Sequence, residues 1–374
     1  MDFDFVVAGA GFAGSVCAER LANGFGKRVL VVEKRDHIGG NAWDYSDPHG
    51  VLVHGYGPHI FHTKSDEVWS YLSRFTAWRP YEHRVLGCVD GKLVPLPFNL
   101  TSLHALFPGK EAGDIQTKLV AKYGMGARVP ILELRKQEDA QLRELAEFVY
   151  AKVFVNYTRK QWGLPIERLS PSVSARVPVV VGWDDRYFDD AHQAMPAMGY
   201  TPLFEKMLQS PHITLQLNTD YRDIAAELSP KAVIFTGMVD SFFAYRYGTL
   251  AYRSLDFTLQ NLPVESFQTA ATVNYPNEHD YTRITEFKKL TGQTAPSTTI
   301  AYEYPRPYEK ETDEAYYPIP LEENTRLHSR YVEDARVLHN VLFVGRLAQY
   351  RYLNMDQVVL EALRAVEAVM KDNA

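Results

Sequence analysis

The sequence predicts an α/β chain, α+β overall: a parallel-sheet domain interrupted in sequence, an inserted helical subdomain and an antiparallel β-sheet domain. Three observations carry this. Apolar runs at Phe5-Val6-Val7-Ala8 and Val29-Leu30-Val31-Val32 bracket a glycine-rich turn and an Ala/Glu/Leu helix, the order of a βαβ unit whose strands are buried on both faces. The pattern turns helical from 100 to about 157, then alternating and rich in β-branched and aromatic residues from 250 to 304. Residues 340–346 then read as another parallel strand with a Gly-Arg turn, and 355–370 as an amphipathic helix, so the end of the chain returns to the first sheet. At 374 residues the chain exceeds a single core.

In the first unit, Gly9, Gly11 and Gly14 stand in G-x-G-x-x-G spacing around Phe12 and Ala13. Gly9 permits the tight turn, Gly11 lets the backbone approach a pyrophosphate, and Gly14 lets helix and strand pack closely. The second strand ends in Glu33, where a carboxylate accepts from ribose hydroxyls, with Lys34 beside it. Strand, glycines, helix, second strand and terminal acid together predict a Rossmann-like dinucleotide site, whereas the glycine spacing alone is a weak signal. The fingerprint fits FAD or NAD. Its continuation, Lys34-Arg35-Asp36-His37-Ile38-Gly39-Gly40-Asn41, resembles that of FAD proteins of the glutathione-reductase type, in which the paired glycines approach the flavin side; FAD is therefore expected.

The composition, 46% apolar and 13% aromatic with 23 tyrosines, is that of a globular enzyme rather than a disordered chain. A formal charge of −6 without a long basic cluster argues against nucleic acid and anionic membranes, so an anionic ligand needs individually placed arginines. Cys17 and Cys88 are too few for a disulfide framework or a metal site, and Cys17 is expected in the core. There is no signal-peptide pattern and no apolar run of membrane-spanning length, so a cytoplasmic protein without membrane insertion is expected.

The chain in order suggests an FAD-binding domain at 1–80, 195–245 and 318–374, a helical domain at 98–165, and an antiparallel substrate domain at 81–97, 166–194 and 246–317. The stretch GYGPHIFH holds His59, Ile60 and His62 in a shaped loop; the two histidines lack a third ligand, and no metal is expected. Ser65 opens a helix with Asp66 and Glu67 in its first turn. Residues 81–97 alternate around Asp90-Gly91, a hairpin signal. The Pro/Ser-rich loop at 164–178 is long enough to act as a mobile lid. MGYTPLFEKMLQ, ITLQLN and AVIFTG read as helix, strand and strand returning to the first sheet.

Several strings together resemble one family over nearly the whole chain, the bacterial UDP-galactopyranose mutases: GAGFAG with GGN, GYGPHIFHT, VDGKLVPLPFN, NYTRKQWG, SARVPV followed by DDRY, YTRITEFK, EAYYPIP and GRLAQYRYLNMDQ. The last five are not general flavoprotein features. The resemblance implies an FAD domain, a helical domain and a sheet domain, a homodimer, and a UDP-sugar substrate. It also implies interconversion of UDP-galactopyranose and UDP-galactofuranose, in which N5 of reduced flavin attacks the anomeric carbon and displaces UDP.

The resemblance further implies residue roles. Arg176, in the lid loop, and Arg283 match the family's pair at the pyrophosphate, and with His62 and Asn354 they form the expected catalytic set. Tyr187, Tyr317 and Tyr352 match tyrosines that donate to phosphate oxygens, Tyr157 one that stacks on uracil and Trp162 one beside the sugar, with Phe154 and Thr158 from the same segment and Asn274 as a base contact. His59, Ile60, His62, Arg346, Tyr352, Met355 and Asp356 match positions around the flavin and its chain. One departure stands out: where the family usually reads Tyr-Leu-Asp-Met-Asp, this chain has Tyr352-Leu353-Asn354-Met355-Asp356, which removes a carboxylate. A mutase acting on UDP-N-acetylgalactosamine or a deoxysugar nucleotide would share the other motifs. An FAD oxidoreductase of the amine-oxidase kind would share GAGFAG but not NYTRKQWG or the arginine pair, and a silent nucleotide-sugar binder would show no turnover.

Overall fold

The computed structural model describes residues 3–168, 177–310, 312–319 and 321–372. Phe5–Ala8 is the centre of a five-stranded parallel sheet, flanked by Val29–Val32 and Ala232–Phe235, with Ile213–Gln216 and Val341–Phe343 at the edges. The three inner strands are buried along their whole length because helices cover both faces. On one face Phe12–Glu19 lies against Met355–Asp372 and Tyr200–Leu208, while Val6, Leu30 and Val32 pack on Tyr221 and Ile224 on the other. Strands 336 residues apart in sequence thus share one sheet. Cys17 is wholly buried in this layer, its Sγ 3.8 Å from the carbonyl of Ala362, and burial pushes the thiol up to about 12.

A seven-stranded sheet forms the second body, in the order Tyr317–Pro318, Tyr252–Leu262, Thr298–Pro307, Arg283–Glu286, Thr272–Asn274, Val85–Val89, Lys92–Leu96. Every pairing is antiparallel except that of Thr272–Asn274 with Val85–Val89. The hairpin turns at Asp90 and Gly91, with φ of 49° and 75°, as a two-residue connection with the twist of its strands requires. Register sets what the sheet presents. Asn274 lies opposite Arg283, Arg283 opposite Glu303, and Arg253 opposite Tyr317, so these side chains share one face.

Helices between Leu100 and Trp162 make a separate core with Leu103, Ile115, Leu119, Leu142, Leu145 and Val149 at its centre. Part of the segment expected in the large sheet lies elsewhere. Val179–Val180 pairs with Arg128–Val129, and Val179 and Val181 are buried among the helices. His192–Pro196 pairs with Phe61–Thr63 and Trp78–Pro80 in a small sheet of its own. A short apolar run such as Val179-Val180-Val181 fits any core, and only the neighbouring Val129 and Ile131 select this one. Most of the loop expected at 164–178, including Arg176, lies outside the described residues.

Candidate active site

A cleft opens at the carboxyl ends of the parallel strands, lined by Ala8, Val32, Phe235 and Gly345 and by the loops that follow them, which is where open α/β sheets bind ligands. Gly9, Gly11, Phe12, Ala13, Glu33, Lys34, Gly40, Asn41, His59, Arg346 and Met355 all line it. Gly14 does not; it makes the helix-to-strand contact, where a Cβ would stand 1.8 Å from the carbonyl oxygen of Gly9. Gly40, at φ +56°, approaches Gly11 so closely that a Cβ there would be 2.9 Å from the Gly11 Cα. Such a backbone cradle at the N-terminus of Phe12–Glu19 fits a dinucleotide pyrophosphate. Glu33 accepts from the backbone N–H of Ala10 at 2.8 Å and of Arg35 at 3.0 Å, so it braces the glycine turn from the second strand. Each carboxylate oxygen keeps a second lone pair for a ribose hydroxyl.

His59, half-buried, lines the cleft, with the buried His54 behind it. The N–H of His59 donates to His54 Nδ1 at 3.0 Å, and His59 Nδ1 lies 2.8 Å from the carbonyl of Gly57. Burial lowers His54 to about 4 and His59 to about 3, so both are neutral at pH 7. A neutral His59 that donates from Nδ1 offers Nε2 as an acceptor. Arg346 donates to the carbonyls of Leu353 at 3.0 Å and Tyr316 at 3.0 Å, tying the loop 346–353 to the sheet body.

On the sheet face, Arg283 reaches Glu303 at 3.1 Å through Nε and donates from Nη2 to the hydroxyl of Tyr157 at 2.7 Å. Burial opposes the charge on Arg283, but the Glu303 carboxylate more than offsets it and holds the guanidinium cationic. Asn274, beside Arg283, has a buried Oδ1 with no hydrogen-bond partner among the described residues. Trp162, Tyr317 and Tyr352 form a triangle with centroids 5.2, 5.5 and 6.1 Å apart, and Gln161 donates to the Tyr317 hydroxyl. The Arg346 guanidinium lies 5.2 Å from the Tyr352 ring, so this aromatic wall continues into the cofactor cleft. Thr158 is buried on the same helix as Tyr157, whereas Phe154 belongs to the helical core.

The remaining expected residues gather elsewhere. His62, Asn354 and Asp356 line a second, polar cleft with Lys64, Asp189 and Asp190. There His62 Nδ1 is 3.0 Å from Asp190 and its ring stacks on Phe188 at 3.6 Å, while Thr63 donates to Asp356 at 3.0 Å. Ile60 packs against the parallel-sheet core. Tyr187 meets His83 edge-to-face at 5.8 Å and donates its N–H to the carbonyl of His83. Sequence reasoning missed Arg35, Glu314 and residues 219–222 and 236–238 among those that line the cleft. The last two groups follow parallel strands, and that position was the available signal.

Comparison with known proteins agrees with this geometry. The family model for UDP-galactopyranose mutase matches residues 152–352, and that for an NAD(P)-binding Rossmann-like domain matches 7–75. The chain is 36% identical to a probable UDP-galactopyranose mutase of Klebsiella pneumoniae, over 99% of this chain and 96% of the other. It is 34% identical to a dTDP-fucopyranose mutase of Escherichia coli, over 98% of each. The crystal structure of a reduced UDP-galactopyranose mutase superposes with a TM-score of 0.74 at 16% identity, covering 99% of this chain and 94% of that one. A matched segment that contains the Tyr157–Arg283 contact, the aromatic triangle and Arg346, together with near full-length relatives at this identity, places the chain in the UDP-galactopyranose mutase family.

Proposed function

We propose that the chain, loaded with FAD and reduced, interconverts the pyranose and furanose forms of UDP-galactose. The observation that carries this reading is the continuity of the two walls: Arg346 lines the dinucleotide cleft and also touches Tyr352, which packs on Trp162 and Tyr317 of the sheet face. A sugar held there sits between cofactor and cation. When bound and reduced, FAD supplies a nucleophilic nitrogen for the anomeric carbon.

The chain's own residues do the rest. Arg283 holds the pyrophosphate by charge, and Arg176, outside the described residues, is the second cation of that pair. Because Arg283 donates to the Tyr157 oxygen, the Tyr157 proton is free to donate to substrate. Gln161 plays the same part for Tyr317, turning that proton outward. Trp162 shields the reacting carbon from water.

A second reading, a mutase for another nucleotide sugar such as dTDP-fucose, is favoured by Asn354 in place of a carboxylate and by the dTDP-fucopyranose mutase relative. The test is chromatography of UDP-galactose, UDP-N-acetylgalactosamine and dTDP-fucose after incubation with dithionite-reduced protein. Ring isomerisation of UDP-galactose, only after reduction and without stoichiometric use of reductant, is expected. Turnover of dTDP-fucose alone supports the second reading, and equal turnover by oxidised protein removes both.

A further inference from the structure

Residues 313–316 line the same cleft as the glycine turn. The sheet body holds this strap by Arg306 to Asp313 at 2.7 Å and by the Ser254 hydroxyl to the Glu314 carbonyl at 2.9 Å. Its link to the dinucleotide-binding body is different in kind. The Glu314 carboxylate takes Lys34 at 3.2 Å on one oxygen and Arg35 on the other, and both cations belong to the loop that follows Glu33. The partners are 279 residues apart in sequence.

Arg35 has little else to balance it. Its Nη2 also donates to Asn41 at 2.9 Å, its guanidinium covers the Tyr56 ring at 4.3 Å, and its Nε and Nη1 are buried with no hydrogen-bond partner among the described residues. Glu33, another carboxylate that acts on Arg35, is engaged with Ala10 and the Arg35 backbone. Removing Glu314 therefore leaves the mostly covered Arg35 guanidinium without its acid. Lys34, Arg35, Asn41 and Glu314 all line the cleft, so the bridge ties two of its linings together beside the space a dinucleotide would fill.

We infer that Glu314, clamped by Lys34 and Arg35, is a latch that closes the strap over the bound dinucleotide and sets how slowly it is released. The inference rests on the FAD reading above. It assigns a cofactor-retention role to a contact between the two bodies that serves no step of the sugar chemistry.

The test measures the FAD dissociation rate of the holoprotein from the activity that an excess apoflavoenzyme trap regains as it captures released FAD. Wild type, Glu314→Gln, Arg35→Gln and the double variant are compared at low and high salt. Each single variant is expected to release FAD at least about tenfold faster. The double variant is expected to be no faster than the faster single one, since a bridge can be broken only once. Salt should speed wild-type release more than that of the variants. Thermal unfolding of the apoproteins separates a latch from a plain structural staple: the staple lowers apoprotein stability and leaves release unchanged. Release within twofold of wild type in both single variants, or additive effects in the double, overturns the latch. If wild type holds no FAD at all, the cofactor reading itself falls, and the latch with it.

Discussion

Arg283 uses Nε for Glu303 and Nη2 for Tyr157, so its charge already has a buried counterion before any anion arrives. Glu303 also accepts from Thr282 at 3.1 Å and is 3% exposed. Arg283→Ala is therefore expected to act twice. Loss of a charge-assisted contact to the pyrophosphate should cost about 2 to 4 kcal/mol in the transition state, or roughly 30- to 1000-fold in kcat/KM. The unpaired Glu303 should also cost about 3 kcal/mol of stability. Pairing Arg283→Ala with Glu303→Gln should restore the denaturation midpoint but not the rate, which separates the two effects. Arg283→Lys should rescue poorly, since a point charge cannot serve Glu303, Tyr157 and a phosphate as a planar fork does. A kcat/KM within threefold of wild type in Arg283→Ala would remove Arg283 from the proposed site. From sequence, Arg283 was found by its string, but the buried acid behind it was not; Glu303 stands in an ordinary strand pattern, and only the register puts it opposite.

The glycine turn and its helix act as one element, in which two glycines do different work. Gly11 has φ −80°, ordinary for any residue, and a Cβ there would meet Gly40 at 3.5 Å, a normal contact. Gly14 has no such room, with the Gly9 oxygen 1.8 Å from its Cβ position. Gly11→Ala should thus fold with stability within about 1 kcal/mol of wild type yet hold the proposed FAD weakly, because the added methyl narrows the backbone cradle between Gly11 and Gly40. Gly14→Ala should push helix from strand and unfold the parallel-sheet body. Circular dichroism and flavin absorbance of the two purified variants check this. Full FAD occupancy in Gly11→Ala, or a stable Gly14→Ala, would contradict the division. The same spacing was legible in the sequence because the helix-to-strand contact of Gly14 with Gly9 and Val7 lies within one βαβ unit. The strap that lines the same cleft was not, since Asp313 to Tyr316 follow no local rule that marks them as a cofactor strap.

At the scale of the molecule, acid should loosen both bodies together. His54 and His83 are buried and His59 is half-buried, and desolvation first of all holds them at about 4, 3 and 3, with Arg283 adding to the effect at His83. Unfolded, each titrates near about 6.5, so the unfolded chain binds more protons than the folded one below that pH. The sign follows: stability is at its full value above about pH 6.5 and falls as the pH drops toward 4, by up to about 1.4 kcal/mol per pH unit for each histidine. Denaturant midpoints at pH 7.5 and 5 should show the fall, and His83→Asn should lessen it by about a third. Equal midpoints at the two values would contradict the neutral assignments. By itself the sequence determined the glycine cradle, the strands around it and the hairpin at Asp90-Gly91. These rest on spacing and pattern among near neighbours. Only the tertiary structure decided that Val179 to Val181 join the helices, that His62 and Asn354 face a second polar cleft, and that Lys34 and Arg35 close on Glu314. Those outcomes depend on which surfaces of distant segments come to share a boundary, and a charge or a short apolar run is compatible with many boundaries until packing selects one.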